Sequence, residues 1–425
     1  MWLSLVVLGL VAFASSSAYL TRHCITVANT TIQLELGFTS EQMGTVFAAF
    51  SLGYLLCQIP GGLLGNRFGT RAALPMLSLL WSIFTVWTSA VSSLVLMKTS
   101  RLAFGMAQAG LVPNSSQVIK DWFPIRFRGS VSAVIGVSMS IGGAVTMVLT
   151  AFLIERMHWR TVFRLYSLVG IAWAIAFWLI FRTRPEQHPL VPASDPEPTP
   201  ADKPTDVEET PDTPADTFTR ATVILGGLSI LWLAIQSFFR AAGYNLFVTF
   251  FPEFLERGHG LSREAAGSLT FWPLFGVIIG GLIGGPLVDG LLRLTGNRWI
   301  SRSGVAFVAL GTTALLTFAA ASAGSVQMLV LLISIGAGFS GMASPSAWAA
   351  VIDLGGRYTA TFAGLMNMAG CVAGILVTPF LGRMIDRIKE TDGDWNQVIF
   401  LHAAFYLIAA VSWLMIFPSR RLLRS

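Results

Sequence analysis

The sequence is poor in cysteine and in charged residues. Three of its 425 residues are cysteine, and Asp, Glu, Lys and Arg together account for 12%. Because Cys24, Cys57 and Cys371 lie inside long apolar segments, they act as small apolar residues and predict no disulfide framework. A chain with so few charges cannot cover its surface with groups that water solvates. The composition therefore excludes a water-soluble globular protein.

Motifs that support catalysis or cofactor binding are also absent from the sequence. It has no Gly-rich phosphate loop, no His and Cys residues at metal-ligand spacing, and no exposed nucleophile beside a base. The sequence therefore predicts no enzymatic activity, no cofactor and no metal site. Its net charge of +6 is not gathered in a soluble basic patch, so no nucleic-acid partner is predicted.

Apolar residues dominate what is present. They make up 54% of the chain, and the mean hydropathy is +0.67. We interpret the first apolar segment as a retained helix rather than a secretory signal, because it lacks a basic N-terminal region. The sequence predicts an all-α integral membrane protein with 12 transmembrane helices, each long enough for a core of about 30 Å. The predicted spans are 1–28, 40–65, 72–91, 94–119, 129–154, 159–181, 222–252, 263–292, 300–322, 325–351, 358–382 and 395–417.

The chain also repeats itself. Residues 37–66 align without a gap with residues 260–289, and residues 136–153 align with residues 364–381. Residues identical under the first alignment include Gly44, Gly53 and Gly61 with Gly267, Gly276 and Gly284. Such a repeat predicts two pseudo-symmetric six-helix bundles that hold a substrate between them near the membrane midplane. We place the bundles at residues 1–182 and 220–425.

Residues 183–219 interrupt the apolar pattern, since they are rich in acidic residues and proline. Such a segment buries too little apolar surface to fold, so we predict a cytoplasmic linker, with a docking segment as the alternative. Orientation follows from the basic residues outside the spans. Sixteen Lys and Arg residues lie on the side of the termini and nine on the other side. This bias predicts cytoplasmic termini and a bacterial inner (plasma) membrane location.

The loop after the second span resembles the signature of the major facilitator superfamily. It reads GGLLGNRFGTR over residues 61–71, and a degenerate copy, GGPLVDGLLRLTGNR, spans residues 284–298. We expect the glycines to let the second and eighth helices pack across the seam between halves, and the charges to form a gate in one state. Asn66 stands where the family has Asp, which predicts a weaker gate. The gating residues are Gly62, Asn66, Arg67, Gly69, Arg71, Gly285 and Asp289.

Further segments resemble the anion:cation symporter family within that superfamily. They are YLTRHCITVA (19–28), FSLGYLLCQIPGG (50–62), RLAFGMAQAGLVP (101–113), DWFP (121–124), RPEQHP (184–189), SPSAWA (344–349) and GLMNMAG (364–370). The resemblance implies a secondary active transporter that takes up small organic anions, often sugar acids, by alternating access. The alternatives are an exchanger or uniporter of organic anions or organophosphates without proton coupling, and an anion sensor with a transporter fold.

Arg22 is the first candidate for binding the anion. A guanidinium inside an apolar helix has a large free-energy cost unless it faces a polar cavity, and the first span offers no carboxylate. Tyr19 and Thr26 lie on the same helix face and form a polar stripe with it. We expect Arg22 to bind a carboxylate or phosphate with its planar fork of donors. The alternative is an arginine that extends to the membrane interface.

Arg240 is a second candidate cation, inside the seventh span. Tyr244 follows one turn later, and Asn245 matches Arg22 under the 223-residue shift. In the organophosphate:phosphate antiporters, a sister family, an arginine also lies near this position. Two cations would suit a divalent or bidentate anion. The alternative is a charge paired with a helix carbonyl or a lipid phosphate.

Other candidates for substrate binding are polar or aromatic. Tyr54 and Gln58 share a face of the second span, Ser344 and Trp348 share a face of the tenth, and Asn367 lies in the eleventh. Amide side chains are costly in lipid unless they are hydrogen bonded, and aromatic rings suit stacking on a sugar. Packing against lipid or core is the alternative for Ser344 and Trp348.

The coupling positions depart from the family pattern. Proton-coupled members place acids where this chain has Thr21 and Gln108, and Arg101 remains without its acid. His23 is the only ionisable residue other than arginine that lies deep in a span, so it is the candidate for proton exchange. The alternative is a hydrogen-bonded structural histidine. We expect the protein to be a monomer in the lipid bilayer, with a small organic anion and a co-transported or exchanged ion as its partners.

Overall fold

The computed structural model describes residues 2–123, 125–184, 220–355 and 359–417. The first half of the chain forms α1 (Trp2–Val27), α2 (Asn29–Leu36), α3 (Ser40–Phe68), α4 (Thr70–Ala90), α5 (Leu94–Gln108), α6 (Leu111–Trp122), α7 (Ile125–Ile154) and α8 (Trp159–Ile180). The second half forms α9 (Arg220–Thr249), α10 (Phe251–Glu253), α11 (Arg263–Thr295), α12 (Val305–Ala320), α13 (Val326–Met342), α14 (Ser344–Gly355), α15 (Thr359–Thr391) and α16 (Asn396–Ser412). The predicted linker lies outside the described residues from position 185 onward, and so does most of the RPEQHP segment.

The helices confirm the predicted fold class of 12 transmembrane helices. Ten stretches of helix are long and apolar enough to cross a membrane. The fourth predicted span is divided into α5 and α6, and the seventh corresponds to α9. At the break between α5 and α6, the Asn114 amide donates hydrogen bonds to the carbonyls of Gly110 (2.6 Å) and Gly61 (2.8 Å). The tenth span is divided in the same way, between α13 and α14.

Each half packs through equivalent pairs of helices. In the first half α1 packs against α7, α3 against α5, and α4 against α8. In the second half α9 packs against α15, α11 against α13, and α12 against α16. The most extensive contacts between the halves join α3 with α15 and α7 with α11, and α1 also contacts α9 and α10.

Glycines allow the close approach of these helices, both within each half and between the halves. A Cβ at Gly53 would lie 2.1 Å from a carbonyl oxygen of α5, and one at Gly280 would lie 1.7 Å from a carbonyl oxygen of α13. Across the seam, a Cβ at Gly44 would lie 2.4 Å from the Thr378 carbonyl oxygen, and one at Gly267 would lie 2.7 Å from the Met147 carbonyl oxygen.

The second and eighth helices do pack across the seam, α3 on α15 and α11 on α7, but the expectation that the motif glycines make these contacts was wrong. Gly62 faces Pro113 of its own half, and a Cβ at Gly285 would meet nothing within 4 Å. The physical reason is that α3 and α11 contact the other half near their first residues, at Gly44 and Gly267, whereas the motif glycines lie towards the other end of each helix.

The two halves meet at one end of the molecule. We call the end where α1 ends and α3 begins the distal end, and the end where α1 begins the proximal end. Among the described residues, the hydrogen bonds between halves lie on the distal side, from Ser40 and Glu41 to Gly44 on α3. The Asp386 carboxylate of α15, for example, accepts hydrogen bonds from the backbone N–H groups of Ser40 (2.8 Å) and Glu41 (2.6 Å) at the start of α3. The structure is therefore closed at its distal end.

Candidate functional site

Arg22 points into the first half of the molecule. Its Nε donates a hydrogen bond of 3.0 Å to Oε1 of Gln108 on α5. Its guanidinium carbon lies 4.5 Å from the ring centre of Tyr19, 4.8 Å from that of Phe50 and 5.2 Å from that of Tyr54. Three aromatic faces and a neutral amide thus surround the cation. This geometry does not match an arginine that extends to the membrane interface.

Gln108 and Thr21 occupy the positions of the missing acids and join α1 to α5. The buried Gln108 amide donates to the Ala18 carbonyl at 2.8 Å and to the Thr21 hydroxyl at 3.4 Å. The Thr21 hydroxyl itself donates to carbonyls of its own helix. Apart from Arg22, the groups that Gln108 and Thr21 contact are uncharged. No carboxylate in the described part of the chain forms an ion pair with Arg22.

Arg101 is a second cation of the same cluster, and it is almost fully buried. Its Nη2 donates to the backbone carbonyl of Arg22 at 3.2 Å, and its guanidinium carbon lies 4.2 Å from the ring centre of Phe104. Its buried Nε has no hydrogen-bond partner among the described residues. A carbonyl dipole and a ring face are the contacts that offset this charge.

His23 is buried on α1 behind Tyr19. The two rings meet edge to face, with their centres 5.4 Å apart, and the imidazole also faces Gly143 of α7. No hydrogen bond of His23 is found within the described part of the chain.

Arg240 and Tyr244 of α9 form a group in the second half that resembles Arg22 and its tyrosines in the first half. The buried Nε of Arg240 has no partner within the described ranges. Arg240 is close enough to Tyr244 and to Tyr406 of α16 to interact with them electrostatically. Tyr244 is also within electrostatic range of Tyr19 and Arg22. Tyr244 therefore lies near Arg22 of the first half as well as near Arg240 of the second.

Five predicted binding residues are not joined to this cluster. In the described residues, no hydrogen bond or ring contact connects Gln58, Ser344, Trp348 or Asn367 to Arg22. Half of the Trp348 surface is exposed. The Asn245 amide lies beside Gly374 of α15, where Ser51 of α3 also approaches. Asn245 thus belongs to the seam between halves.

The sequence reasoning missed buried polar groups near Arg240. Gln236 is fully buried, and neither its amide nitrogen nor its amide oxygen has a partner among the described residues. Tyr406 and His402 of α16 are buried too, with ring centres 5.1 Å apart. The sequence could have indicated Gln236, because this amide side chain precedes Arg240 by one helical turn in an apolar span. Tyr406 could be found only from the packing of α16 against α9.

The gating residues form contacts within their own halves. Arg71 donates to the Trp178 carbonyl of α8 at 3.1 Å, while Asn66 and Arg67 are exposed. In the second half, Arg302 lies 3.8 Å from Asp289 and 3.2 Å from Asp353. At this proximal end, no ion pair between halves occurs among the described residues.

A polar cluster at the distal end was not predicted. We define the distal cluster as Asn29, Gln33, Ser40, Glu253 and Lys389. The buried Glu253 carboxylate of the second half accepts hydrogen bonds from Asn29 (2.7 Å), Gln33 (3.1 Å) and Ser40 (2.7 Å) of the first half. Lys389 donates to the same carboxylate at 3.5 Å. The sequence signal was a lone acid inside the aromatic run FFPEF.

Comparison with known proteins gave matches over nearly the whole chain. The family model described as Major Facilitator Superfamily matches residues 11–378 and 233–424. The probable sulfoacetate transporter SauU of Cupriavidus necator is 26% identical, and the match covers 97% of this chain and 93% of the relative. The probable galactarate/D-glucarate transporter GudP of Escherichia coli is also 26% identical, over 95% and 90% of the two chains. The hexuronate transporter of Bacillus subtilis is 26% identical over 88% and 86%.

Solved structures share the same fold. A bacterial homolog to the human lysosomal transporter Spinster, in an inward-facing and occupied conformation, superposes with a TM-score of 0.74 at 18% identity and covers 96% of each chain. A D-xylose-proton symporter superposes with a TM-score of 0.72 at 14% identity and covers 99% of each chain.

Proposed function

The chain belongs to the Major Facilitator Superfamily, and from that premise we propose that this membrane transporter moves a small organic anion by alternating access. The observation that supports the anion is the position of Arg22, which lies among Tyr19, Phe50 and Tyr54 and donates a hydrogen bond to the neutral Gln108. Among the described residues it forms no ion pair. An arginine in this environment retains donors for a carboxylate or sulfonate.

The substrates in the relatives' names agree with this chemistry. Sulfoacetate, galactarate, D-glucarate and hexuronates all carry carboxylate or sulfonate groups. We place the anionic group of the substrate between Arg22 and Arg240, with Tyr19, Tyr54 and Tyr244 around it. Gln58, Asn245, Ser344, Trp348 and Asn367 remain proposed contacts for the rest of the substrate.

Orientation assigns the two ends to the two sides of the membrane. With cytoplasmic termini in a bacterial inner membrane, the distal end faces outward, and the substrate cavity opens to the cytoplasm. In the opposite state the distal cluster separates, and the gating residues Asn66, Arg67, Arg71 and Asp289 approach each other at the proximal end. We infer a monomer as the transporting unit.

A thermal-shift experiment tests the binding site. The purified protein is titrated with sulfoacetate, galactarate, D-glucarate and a hexuronate. A ligand at 100 times its dissociation constant stabilises the folded protein by about 2.7 kcal/mol. We expect Arg22→Ala to remove the shift and to leave the unliganded unfolding temperature unchanged or higher, because an unpaired intramembrane charge is deleted.

Arg387→Ala serves as the matched control, because Arg387 is exposed at the distal end. This variant should bind the same anion with unchanged affinity. If Arg22→Ala binds as the wild type does, the assignment of Arg22 is wrong. If no anion of the panel shifts the wild-type protein, the proposed function itself fails.

A further inference from the structure

Away from their ends, the predicted membrane spans contain arginine but no acidic residue. Arg22, Arg101 and Arg240 lie inside helices α1, α5 and α9. The 22 acidic residues of the sequence all lie outside the predicted spans or within four residues of their ends. None of the three forms an ion pair among the described residues, so they add three positive charges to the interior of the helix bundle, before any contribution from His23.

The protein's own contacts supply only dipoles and ring faces to these cations. Arg22 has the Gln108 amide, and Arg101 has the Arg22 carbonyl and the Phe104 ring. The Nε atoms of Arg101 and Arg240 are buried without partners among the described residues. Dipoles and ring faces lower the free energy of a buried cation, but they leave its net charge uncompensated.

The free-energy cost of these unpaired charges rises when the carrier changes between its outward-open and inward-open states. Between the two open states a carrier passes through one in which both ends are closed and water is excluded from the cavity. Transfer of an unpaired charge from water to a low-dielectric interior is strongly unfavourable. A bound anion offsets that cost, whereas an empty cavity does not. In a carrier with an acid beside its arginine, the internal ion pair offsets the cost of the charge when no substrate is bound.

We propose that this transporter is an obligate anion exchanger, because its empty form cannot change state. This inference rests on the proposed function and assigns its mode. An organic anion enters on one side only when a second organic anion leaves from the other. The counter-substrate is therefore an anion of the same chemical class as the substrate.

Efflux from proteoliposomes tests the proposal. The wild-type protein is reconstituted, and the vesicles are loaded with radiolabelled sulfoacetate or galactarate. Valinomycin and potassium hold the membrane potential at zero, and HEPES is the only other anion. Efflux is then compared between an outer medium without substrate and one with saturating unlabelled substrate. We expect external substrate to accelerate efflux at least about tenfold, a barrier difference of about 1.4 kcal/mol.

Restoring the acids tests the cause. Thr21→Asp with Gln108→Glu should give Arg22 and Arg101 internal partners and bring the net efflux to within about twofold of the exchange rate. The single variant Gln108→Glu replaces it if the double variant fails to fold. Gln327→Glu is the matched control, because Gln327 is exposed at the start of α13, and it should keep the wild-type ratio.

The outcomes separate this proposal from the proposed function. If wild-type net efflux equals exchange, obligate exchange is wrong, while the measured flux still supports transport. If the acid-restored variants keep the strong dependence on external anion, missing acids are not its cause, and the inference fails. If the wild type neither binds nor moves the tested anions, the proposed function fails and the exchange mode with it.

Discussion

In the proposed binding site, recognition of the anion depends on the chemistry of single residues. Arg22 donates from its Nε to Gln108, and in the proposed site the two terminal nitrogens of its guanidinium bind the anion. A lysine carries its three N–H donors on one tetrahedral nitrogen, and these donors do not match the plane of a carboxylate as a guanidinium does.

Arg22→Lys should therefore bind substrate poorly although it keeps the charge. We expect a loss of at least about tenfold in affinity, since each charged hydrogen bond contributes about 1.5 to 3 kcal/mol. Titration calorimetry with galactarate provides the measurement. Wild-type affinity in the lysine variant would show that charge alone is recognised.

Arg240 should determine the preference for divalent anions. Galactarate and galactonate differ in one carboxylate, so they form a matched pair of ligands. If Arg240 faces the same anion as Arg22, galactarate should bind more tightly than galactonate, and Arg240→Gln should remove most of the difference. Equal losses for both ligands would identify Arg240 as a structural residue instead.

At the scale of helices, glycines set how closely the spans pack. Gly280 and Gly285 lie on the same helix, α11, yet their surroundings are opposite. A Cβ at Gly280 would overlap the Gly338 carbonyl of α13, whereas one at Gly285 would touch nothing. The backbones of α11 and α13 therefore approach closely only near Gly280.

Gly280→Ala should destabilise the protein by about 1 to 3 kcal/mol, as overpacking does in other cores. Gly285→Ala is the control, and it should leave stability unchanged or slightly higher because alanine favours helix. Thermal unfolding followed by intrinsic tryptophan fluorescence compares the two variants. Similar unfolding temperatures would argue against backbone contact between α11 and α13.

The distal cluster should hold the distal end closed through Glu253. In Glu253→Gln the amide nitrogen would face donors of Asn29 and Gln33, or of Ser40 and Lys389, so at least one hydrogen bond is lost. Loss of about 1.5 kcal/mol shifts a two-state population about tenfold towards the open form.

A cysteine at Ala48, buried on α3 one turn beyond Gly44, can report this opening. In a background without the three native cysteines, we expect Glu253→Gln to accelerate its labelling by an impermeant maleimide about tenfold. Glu390→Gln, at an exposed position near the end of α15, is the control. Unchanged labelling would mean that the seam between α3 and α15 closes without Glu253.

For the whole molecule, the neutral residues at the coupling positions predict how transport is driven. With Thr21 and Gln108 in place of acids, no group there can carry a proton. An inward proton gradient should therefore give little concentrative uptake in proteoliposomes, as measured with radiolabelled substrate. Strong proton-driven uptake that survives His23→Gln would transfer the coupling role to a carboxylate such as Glu155 or Asp353.

The sequence determined the fold of this protein and the types of residue in its cavity. Twelve long apolar stretches cannot satisfy their backbone groups in lipid except as helices, so the spans follow from composition and length. The glycine repeat indicated two similar halves, and Arg22 and Arg240 were conspicuous because charges in such helices are costly. These inferences need only the local sequence, because every span meets the same lipid environment.

Tertiary structure alone decided which residues meet. Gln108 is 86 positions from Arg22, and the three donors of the first half that contact Glu253 lie more than 200 positions before it. Helix periodicity gives the face of a residue but not the helix opposite, so the sequence placed Gly62 and Gly285 at a seam that Gly44 and Gly267 form. Closure of the distal end likewise depends on contacts between residues that are far apart in the chain, and such contacts have no local signature in the sequence.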